Sequence, residues 1–97
     1  MFLELLRREK EIYYWKTRNG YEVDFVVIEN LKVKELMQVV WNISDKKSLR
    51  REERALLKAM EEFNLNEGLI LTKDYSERKE VKGNEILYKP AWLWMLE

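Results

Sequence analysis

The residues with the clearest potential for chemistry are four oxygen-bearing side chains: Asp24, Glu22, Glu4 and Gln38. Asp24 lies within Gly20–Ile28, a mainly apolar segment typical of a central β-strand. Burying a carboxylate there costs several kcal/mol unless it is paired or bound to a metal. Carboxylate and amide oxygens suit a hard cation such as Mg²⁺, which activates water for attack on a phosphodiester. The pattern indicates either a hydrolytic metal site or a relic of one.

Composition excludes several other kinds of site. The 97 residues include no cysteine and no histidine, which excludes disulfides, thiolate or imidazole metal sites and Cys–His or Ser–His nucleophiles. The 18 basic and 18 acidic residues cancel, so nucleic-acid binding would need a local patch. One is predicted on a single helix face, here called the basic stripe: Lys47, Arg51, Arg54 and Lys58.

Length and composition predict one domain over residues 1–97. No apolar run reaches membrane-spanning length and the N-terminus lacks a signal-peptide pattern, which predicts a cytoplasmic protein with no membrane partner. Abundant Lys, Glu and Arg without Cys are typical of a thermophile.

Apolar periodicity and turn residues predict an α/β fold with a mixed sheet, in the order α-β-β-β-α-β-β with a short C-terminal helix. The predicted helices are Phe2–Lys10, a second helix that is capped by Ser48 or Asp45 and runs to about Phe63, and Ala91–Leu96. The predicted strands are Ile12–Arg18, Tyr21–Ile28, Leu31–Val40, Leu69–Thr72 and Ile86–Tyr88. The helix that joins the third and fourth strands favours their parallel pairing. Tyr75–Lys82 is expected to be an exposed polar segment, and the strand before Pro90 to lie at the sheet edge. Trp41 and Tyr13–Trp15 are expected in the core.

The turns decide which side chains meet. Asn19-Gly20 predicts a two-residue type I′ hairpin, which pairs Trp15 with Asp24. A second turn is predicted near Glu29-Asn30. A two-residue loop there places Asp24 and Gln38 on opposite faces of the sheet, whereas a three-residue or bulged loop places them on the same face.

Three segments carry a resemblance to a known family: Glu4–Arg8 (Glu-Leu-Leu-Arg-Arg), Glu11–Lys16 (Glu-Ile-Tyr-Tyr-Trp-Lys) and Gly20–Val27 (Gly-Tyr-Glu-Val-Asp-Phe-Val-Val). With Leu69–Asp74, they are similar to the C-terminal module of archaeal and bacterial AAA-type ATPases, a member of the PD-(D/E)xK nuclease-like superfamily. The resemblance implies a restriction-endonuclease-like core that follows a P-loop ATPase core and a winged-helix segment. No P-loop occurs in the 97 residues, so a detached module is implied, with its ATPase domain in cis or in trans.

The resemblance also implies site positions. Glu4 matches the helix acid of the family and Asp24 its strand acid. The next strand should read apolar-Glu-apolar-Lys, but Gln38 stands in the place of the acid and Val40 in the place of the lysine. Glutamine brings no charge and valine cannot orient an attacking water. The literal match Glu80-Val81-Lys82 sits beside a Gly-Asn turn and is interpreted as coincidental.

Three hypotheses follow. In the first, the chain is a degenerate, non-catalytic module without a cofactor, which binds DNA through the basic stripe or binds a partner domain. In the second, it is a Mg²⁺-dependent nuclease whose metal is held by Glu4, Glu22 and Asp24, with Lys34 or Lys47 replacing the lost lysine. In the third, it is a structural module that forms a homodimer through the Trp92–Leu96 segment, using Trp92, Trp94 and Met95.

Each feature also has a purely structural interpretation. Glu4 can pair with Arg8 one helical turn away. Asp24 can accept a hydrogen bond from Trp15 Nε1 or from a nearby basic side chain. The basic stripe can be a solvated helix face, and Trp92 and Trp94 can be core residues.

Overall fold

The computed structural model describes residues 11–16, 18 and 20–96, with only the backbone of Glu11. The strands are β1 (Glu11–Lys16), β2 (Glu22–Glu29), β3 (Lys32–Val39), β4 (Glu67–Thr72), β5 (Glu77–Val81) and β6 (Asn84–Pro90), and the helices are α1 (Lys46–Glu62) and α2 (Ala91–Leu96). The predicted helix Phe2–Lys10 and its Glu4 lie outside the described residues.

The strands form one mixed sheet in the order β1-β2-β3-β4-β6-β5. β1, β2 and β3 are successive antiparallel neighbours, and β5 is antiparallel to β6. β3, β4 and β6 run parallel, which confirms the predicted pairing of the strands on either side of α1. The described chain is therefore a small α/β domain with a six-strand mixed sheet and two helices.

The C-terminal half of the sheet corrects two predictions. The polar segment 75–82 contains a strand, β5, whose side chains are largely exposed as expected but whose backbone pairs with β6. The sequence did not predict β5, because an exposed edge strand need not alternate apolar and polar residues. β6 is accordingly not at the edge but between β4 and β5. A two-residue turn joins β5 and β6, with positive φ at both Lys82 and Gly83, as in a type I′ turn.

The β1–β2 register also differs from the prediction. Trp15 pairs with Val23, not with Asp24, and Lys16 pairs with Glu22. Five residues, 17–21, therefore separate the last pair, and the pairing next to the hairpin connection is shifted by one residue from that of a two-residue turn. Gly20, within this connection, has a φ of 87°, in the left-handed region that glycine adopts readily.

The β2–β3 turn lies one residue beyond its predicted position. It consists of Asn30 and Leu31, with φ values of 54° and 66°, between the paired residues Glu29 and Lys32. Two positive φ values define a type I′ turn, in which a leucine is sterically unfavourable. A bulge follows, with Lys34 as the extra residue between the pairs Ile28–Val33 and Val27–Glu35.

α1 covers one face of the sheet. Asp45 caps its N-terminus by accepting a hydrogen bond from the backbone N–H of Ser48. Leu56 and Met60 are fully buried against the sheet. Gly68 of β4 allows this approach, because a Cβ there would lie 2.8 Å from Leu56 Cγ. The core on this side contains Val23, Val26, Leu36, Val40, Leu56, Ala59, Met60, Ile70, Ile86 and Tyr88.

α2 packs on the opposite face, where Ala91 and Trp94 contact a smaller cluster with Val27, Met37 and Leu71. Neither described helix combines the length and apolarity that a membrane span requires. The aromatic prediction is partly wrong: Trp15 packs edge-to-face on Phe63 at 6.1 Å, but Trp41, Tyr13 and Tyr14 are more than half exposed. Tyr13 and Tyr14 lie on an edge strand, and Trp41 lies in the connector beyond β3.

Candidate functional site

Asp24 lies at a β-bulge. Tyr13 pairs with Val26 and Trp15 with Val23, so Tyr14 alone opposes both Asp24 and Phe25. A bulge bends its strand and changes the direction of the side chains that it carries. A second bulge, at Lys34 of β3, shifts the β2–β3 register by one residue and so brings Gln38 beside Asp24, one step beyond the pair Phe25–Met37.

The side chains of Asp24 and Gln38 replace backbone hydrogen bonds between their strands. The Asp24 N–H donates to Gln38 Oε1 at 2.9 Å, and Gln38 Nε2 donates to the Glu22 carbonyl at 2.6 Å. In return, Asp24 Oδ2 accepts the Val39 N–H at 2.9 Å. Three hydrogen bonds therefore lock β2 to β3 at the bulge, which answers the question of whether the two side chains meet.

The Gln38 side chain is buried as well as hydrogen-bonded. Its side chain is 0% exposed, and both its amide oxygen and its amide nitrogen are engaged. Val40, at the position that the resemblance assigns to the lysine, is buried in the α1-side core. An apolar side chain there can neither orient water nor stabilise an anion.

Acidic side chains surround Asp24. Burial raises the pKa of Glu52 on α1, the Asp24 and Glu22 charges raise it further, and Arg51 opposes them. Lost solvation raises the pKa of Tyr14, as do its hydrogen bond to Glu22 and the charges of Glu22 and Asp24. Within the described residues, no three Asp or Glu side chains are grouped so as to hold a metal ion.

The structure does not bring Lys34 to this site. It lies four residues from Gln38, about 13 Å along the strand, and it lines a cavity on the α2 side with Leu69 and Trp94. The Glu80-Val81-Lys82 match lies on β5 and its turn, at the other end of the strand order. Glu4 lies outside the described residues.

The basic stripe is exposed along its whole length. Lys47, Arg51, Arg54 and Lys58 lie opposite the buried face of α1 and span about 16 Å of helix. Arg51 also lines a small cavity with Glu22 and Glu52, beside Asp24. The stripe thus passes near the candidate site at Arg51 and continues away from it.

The C-terminal aromatic residues divide between two environments. Trp94 is buried against the sheet, so it does not lie on the surface as the interface prediction requires. Trp92 is 56% exposed, and Met95 and Leu96 are exposed beside it.

Sequence reasoning missed a buried polar cluster at the other edge of α1. Glu53 is buried, receives hydrogen bonds from Tyr88 Oη and from Lys79 Nζ at 3.1 Å, and forms an ion pair with Lys79. Its place was visible in the sequence, because Glu53 is three residues before Leu56 and therefore lies on the apolar face. Burial, the Glu53 hydrogen bond and the Glu53 charge raise the pKa of Tyr88 far above its ordinary range.

Comparison with protein-family models, curated proteins and solved structures finds no match to this chain.

Proposed function

We propose that the chain is a catalytically silent, nuclease-like accessory module of an AAA-type ATPase, and that it binds DNA through the basic stripe. The observation that carries this proposal is the reciprocal bonding of Asp24 and Gln38. Asp24 and Gln38, which stand at the positions of the family's two strand acids, both serve as hydrogen-bond partners for the backbone. This role needs neither metal nor substrate. The ATPase domain, in cis or in trans, is the expected protein partner.

Catalytic silence follows from what the two strands offer. A magnesium ion in a nuclease needs carboxylates, retained waters and substrate phosphate around it. Gln38 brings no charge, and its amide atoms are already bonded to Asp24 and Glu22. Asp24 directs one carboxylate oxygen to Val39. Val40 stands at the position that the resemblance assigns to the lysine, so that position supplies no cation for the developing charge on a phosphodiester.

DNA binding is favoured by the distribution of charge. The chain as a whole is neutral, yet four cations follow one exposed helix face. Each phosphate that a Lys or Arg neutralises releases counterions, so four contacts predict a salt slope of about −3 to −4 in log K against log salt. Because phosphate contacts carry no sequence information, we expect little sequence preference.

The test is fluorescence anisotropy with a labelled DNA duplex over a series of salt concentrations. Replacing Lys47, Arg51, Arg54 and Lys58 with alanine should abolish most of the binding and its salt slope. The control, Lys32→Ala with Lys34→Ala, removes exposed charge from β3 instead. Equal affinity of the stripe variant and the wild-type chain would contradict DNA binding, and Mg²⁺-dependent cleavage lost in Asp24→Asn would contradict catalytic silence.

A second candidate function, homodimer formation, is favoured by the exposure of Trp92, Met95 and Leu96 on α2. Buried Trp94 holds the helix against the sheet, so these side chains form a fixed apolar surface for a second copy. Sedimentation velocity over a range of concentrations should show a dimer that Trp92→Ala weakens. Trp41→Ala is the matched control, since Trp41 is 59% exposed elsewhere. A monomer at all concentrations would exclude this candidate.

A further inference from the structure

An open groove of about 530 Å³ lies beside the C-terminal half of α1 and is here called the helix-end groove. It is bounded by α1, by the loop that follows it and by the β5–β6 turn. Its lining combines basic, amide, apolar and aromatic side chains, including Arg54, Lys58, Lys82, Asn64, Leu57 and Tyr21.

The charges of the groove favour an anionic ligand. Arg54, Lys58 and Lys82 are exposed cations in its lining, against one carboxylate, Glu61. Arg54 and Lys58 also belong to the basic stripe, so the groove opens directly from the surface that is proposed to bind DNA. Positive charge is therefore continuous from the basic stripe into the groove, and it attracts phosphates along this whole path.

The remaining lining suits a flat, partly apolar group. Leu57, Leu65 and Val81 are half-buried, and Tyr21 adds an aromatic ring. The side-chain amides of three asparagines provide both donors and acceptors. Apolar surface with a few polar groups is the usual lining of small-molecule sites, and the volume falls within their ordinary range.

The walls of the groove are held by defined backbone geometry. Asn64 adopts a φ of 56° as α1 ends, and the Leu65 N–H donates to the Met60 carbonyl at 2.8 Å. The Asn66 carbonyl accepts the Glu85 N–H at 2.8 Å, which joins this loop to β6. Lys82 is held in the β5–β6 turn. A groove with fixed walls loses less entropy on binding than one that must be ordered.

We infer that the helix-end groove binds an unpaired nucleotide of a DNA strand that lies along the basic stripe. Arg54, Lys58 and Lys82 contact its phosphates, and its base lies against the apolar lining and the Tyr21 ring. This inference rests on the proposed function and specifies its ligand: DNA with a single-stranded portion. Base contact with aromatic and apolar side chains is the common basis of single-strand binding.

The test compares a labelled oligothymidine of about twelve nucleotides, within the usual site size for such surfaces, with a blunt duplex of equal length. Lys82→Asn removes a groove charge outside the basic stripe, and asparagine tolerates the positive φ. Lys73→Asn is the matched control, since Lys73 is exposed beyond the opposite end of β4. We expect Lys82→Asn to weaken oligothymidine binding about threefold or more, because one contact with a DNA phosphate is lost. Duplex binding should weaken no more in Lys82→Asn than in the control.

The side-chain amide signals of Asn64, Asn66 and Asn84 in NMR spectra report independently whether the oligonucleotide binds in the groove. They should shift with oligothymidine and not with the blunt duplex. If the duplex binds but Lys82→Asn behaves as Lys73→Asn with both probes and the amides do not shift, the groove assignment is wrong and the proposed function stands. If neither probe binds the wild-type chain, the proposed function is wrong and the groove assignment is wrong with it.

Discussion

The side chains of Asp24 and Gln38 each accept a hydrogen bond from the backbone of the strand that carries the other residue. Gln38 Oε1 accepts the N–H of Asp24, and Asp24 Oδ2 accepts the N–H of Val39. The exchange occurs just beyond the last β2–β3 pair, Phe25–Met37, so the two side chains supply hydrogen bonds that a continuing ladder would take from backbone groups. Each side chain therefore has a structural function that can be measured without any substrate.

Gln38→Met should destabilise the fold by about 2–4 kcal/mol. Methionine has a similar volume, but it leaves the Asp24 N–H and the Glu22 carbonyl without their partner. An unsatisfied group costs about 1–3 kcal/mol when fully buried, and these two, which are part-buried, should lie in the lower part of that range. Urea unfolding followed by circular dichroism would measure the loss. A free energy of unfolding within about 0.5 kcal/mol of the wild-type value, the range of neutral surface substitutions, would show that these hydrogen bonds contribute little.

Asp24→Asn should be tolerated and Asp24→Ala should not. Asparagine keeps an oxygen that can accept the Val39 N–H, whereas alanine removes it, at a cost of about 1–3 kcal/mol. Amide hydrogen exchange at Val39 reports the difference directly: protection should persist in Asp24→Asn and fall in Asp24→Ala. Equal loss of protection in both variants would mean that the charge of Asp24, rather than its hydrogen bond, holds the strands together.

Glu52→Gln should raise stability at neutral pH but not in acid. Burial and the charges of Asp24 and Glu22 raise the pKa of Glu52 in the folded state, so the native chain binds more protons than the unfolded one. Stability therefore falls as pH rises from the unfolded value, about 4.3, through the folded value. The substitution removes this fall, a gain of no more than about 0.5 kcal/mol for a partly exposed group.

Unfolding curves at a series of pH values would measure the Glu52 effect. Glu62→Gln is the matched control, because it makes the same charge change at an exposed position of α1. A pH dependence that is the same in Glu52→Gln and the wild-type chain would contradict the prediction.

The sequence predicted the elements better than their pairing. Periodicity located α1, and the connection through α1 predicted the parallel neighbours β3 and β4. The predicted pairing of Trp15 with Asp24 was wrong, because the register next to the hairpin is shifted by one residue, and the bulge between Tyr13 and Trp15 shifts it back. Such irregularities depend on how the two strands bend to cover a common core, which local residue patterns do not record.

The candidate site shows the same limit. The resemblance selected Asp24 and Gln38, but the one-residue register shift at Lys34 brings their side chains together. Glu53 was missed because a lone acid on an apolar helix face is normally counted as an exception to the pattern, although Lys79 and Tyr88, far away in sequence, satisfy it. Contacts between distant segments are what apolar periodicity cannot supply.

Tyr88→Phe should lower stability at neutral pH and reduce the loss of stability in alkali. Its hydroxyl donates to buried Glu53, and loss of that donor should cost about 1–2 kcal/mol, since Lys79 still contacts the carboxylate. Burial and Glu53 raise the Tyr88 pKa in the folded state, so the native chain retains a proton that the unfolded chain loses above about pH 10. Wild-type stability must therefore fall as pH rises beyond that value.

Unfolding free energies measured from neutral pH to about pH 11 would show the difference. The slope should become shallower in Tyr88→Phe but not vanish, because the pKa values of Tyr14 and Tyr75 are also raised. Tyr13→Phe is the matched control, since Tyr13 is exposed on β1. Equal slopes in Tyr88→Phe and the wild-type chain would contradict a role for Tyr88 in the alkaline loss.

Leu31→Gly should stabilise the chain by about 1 kcal/mol. Leu31 adopts a φ of 66° in the β2–β3 turn and is 96% exposed, so its side chain is strained without the compensation of burial. Asn-Gly is the preferred pair for a type I′ turn, and Asn30 already provides the first residue. Glycine removes the steric strain of about 1–2 kcal/mol. The greater conformational freedom of glycine in the unfolded chain offsets part of this gain in stability. Thermal unfolding would measure the gain, and Leu31→Ala, which keeps the Cβ, should give little of it. A lower melting temperature for Leu31→Gly would mean that the leucine contributes packing which outweighs its strain.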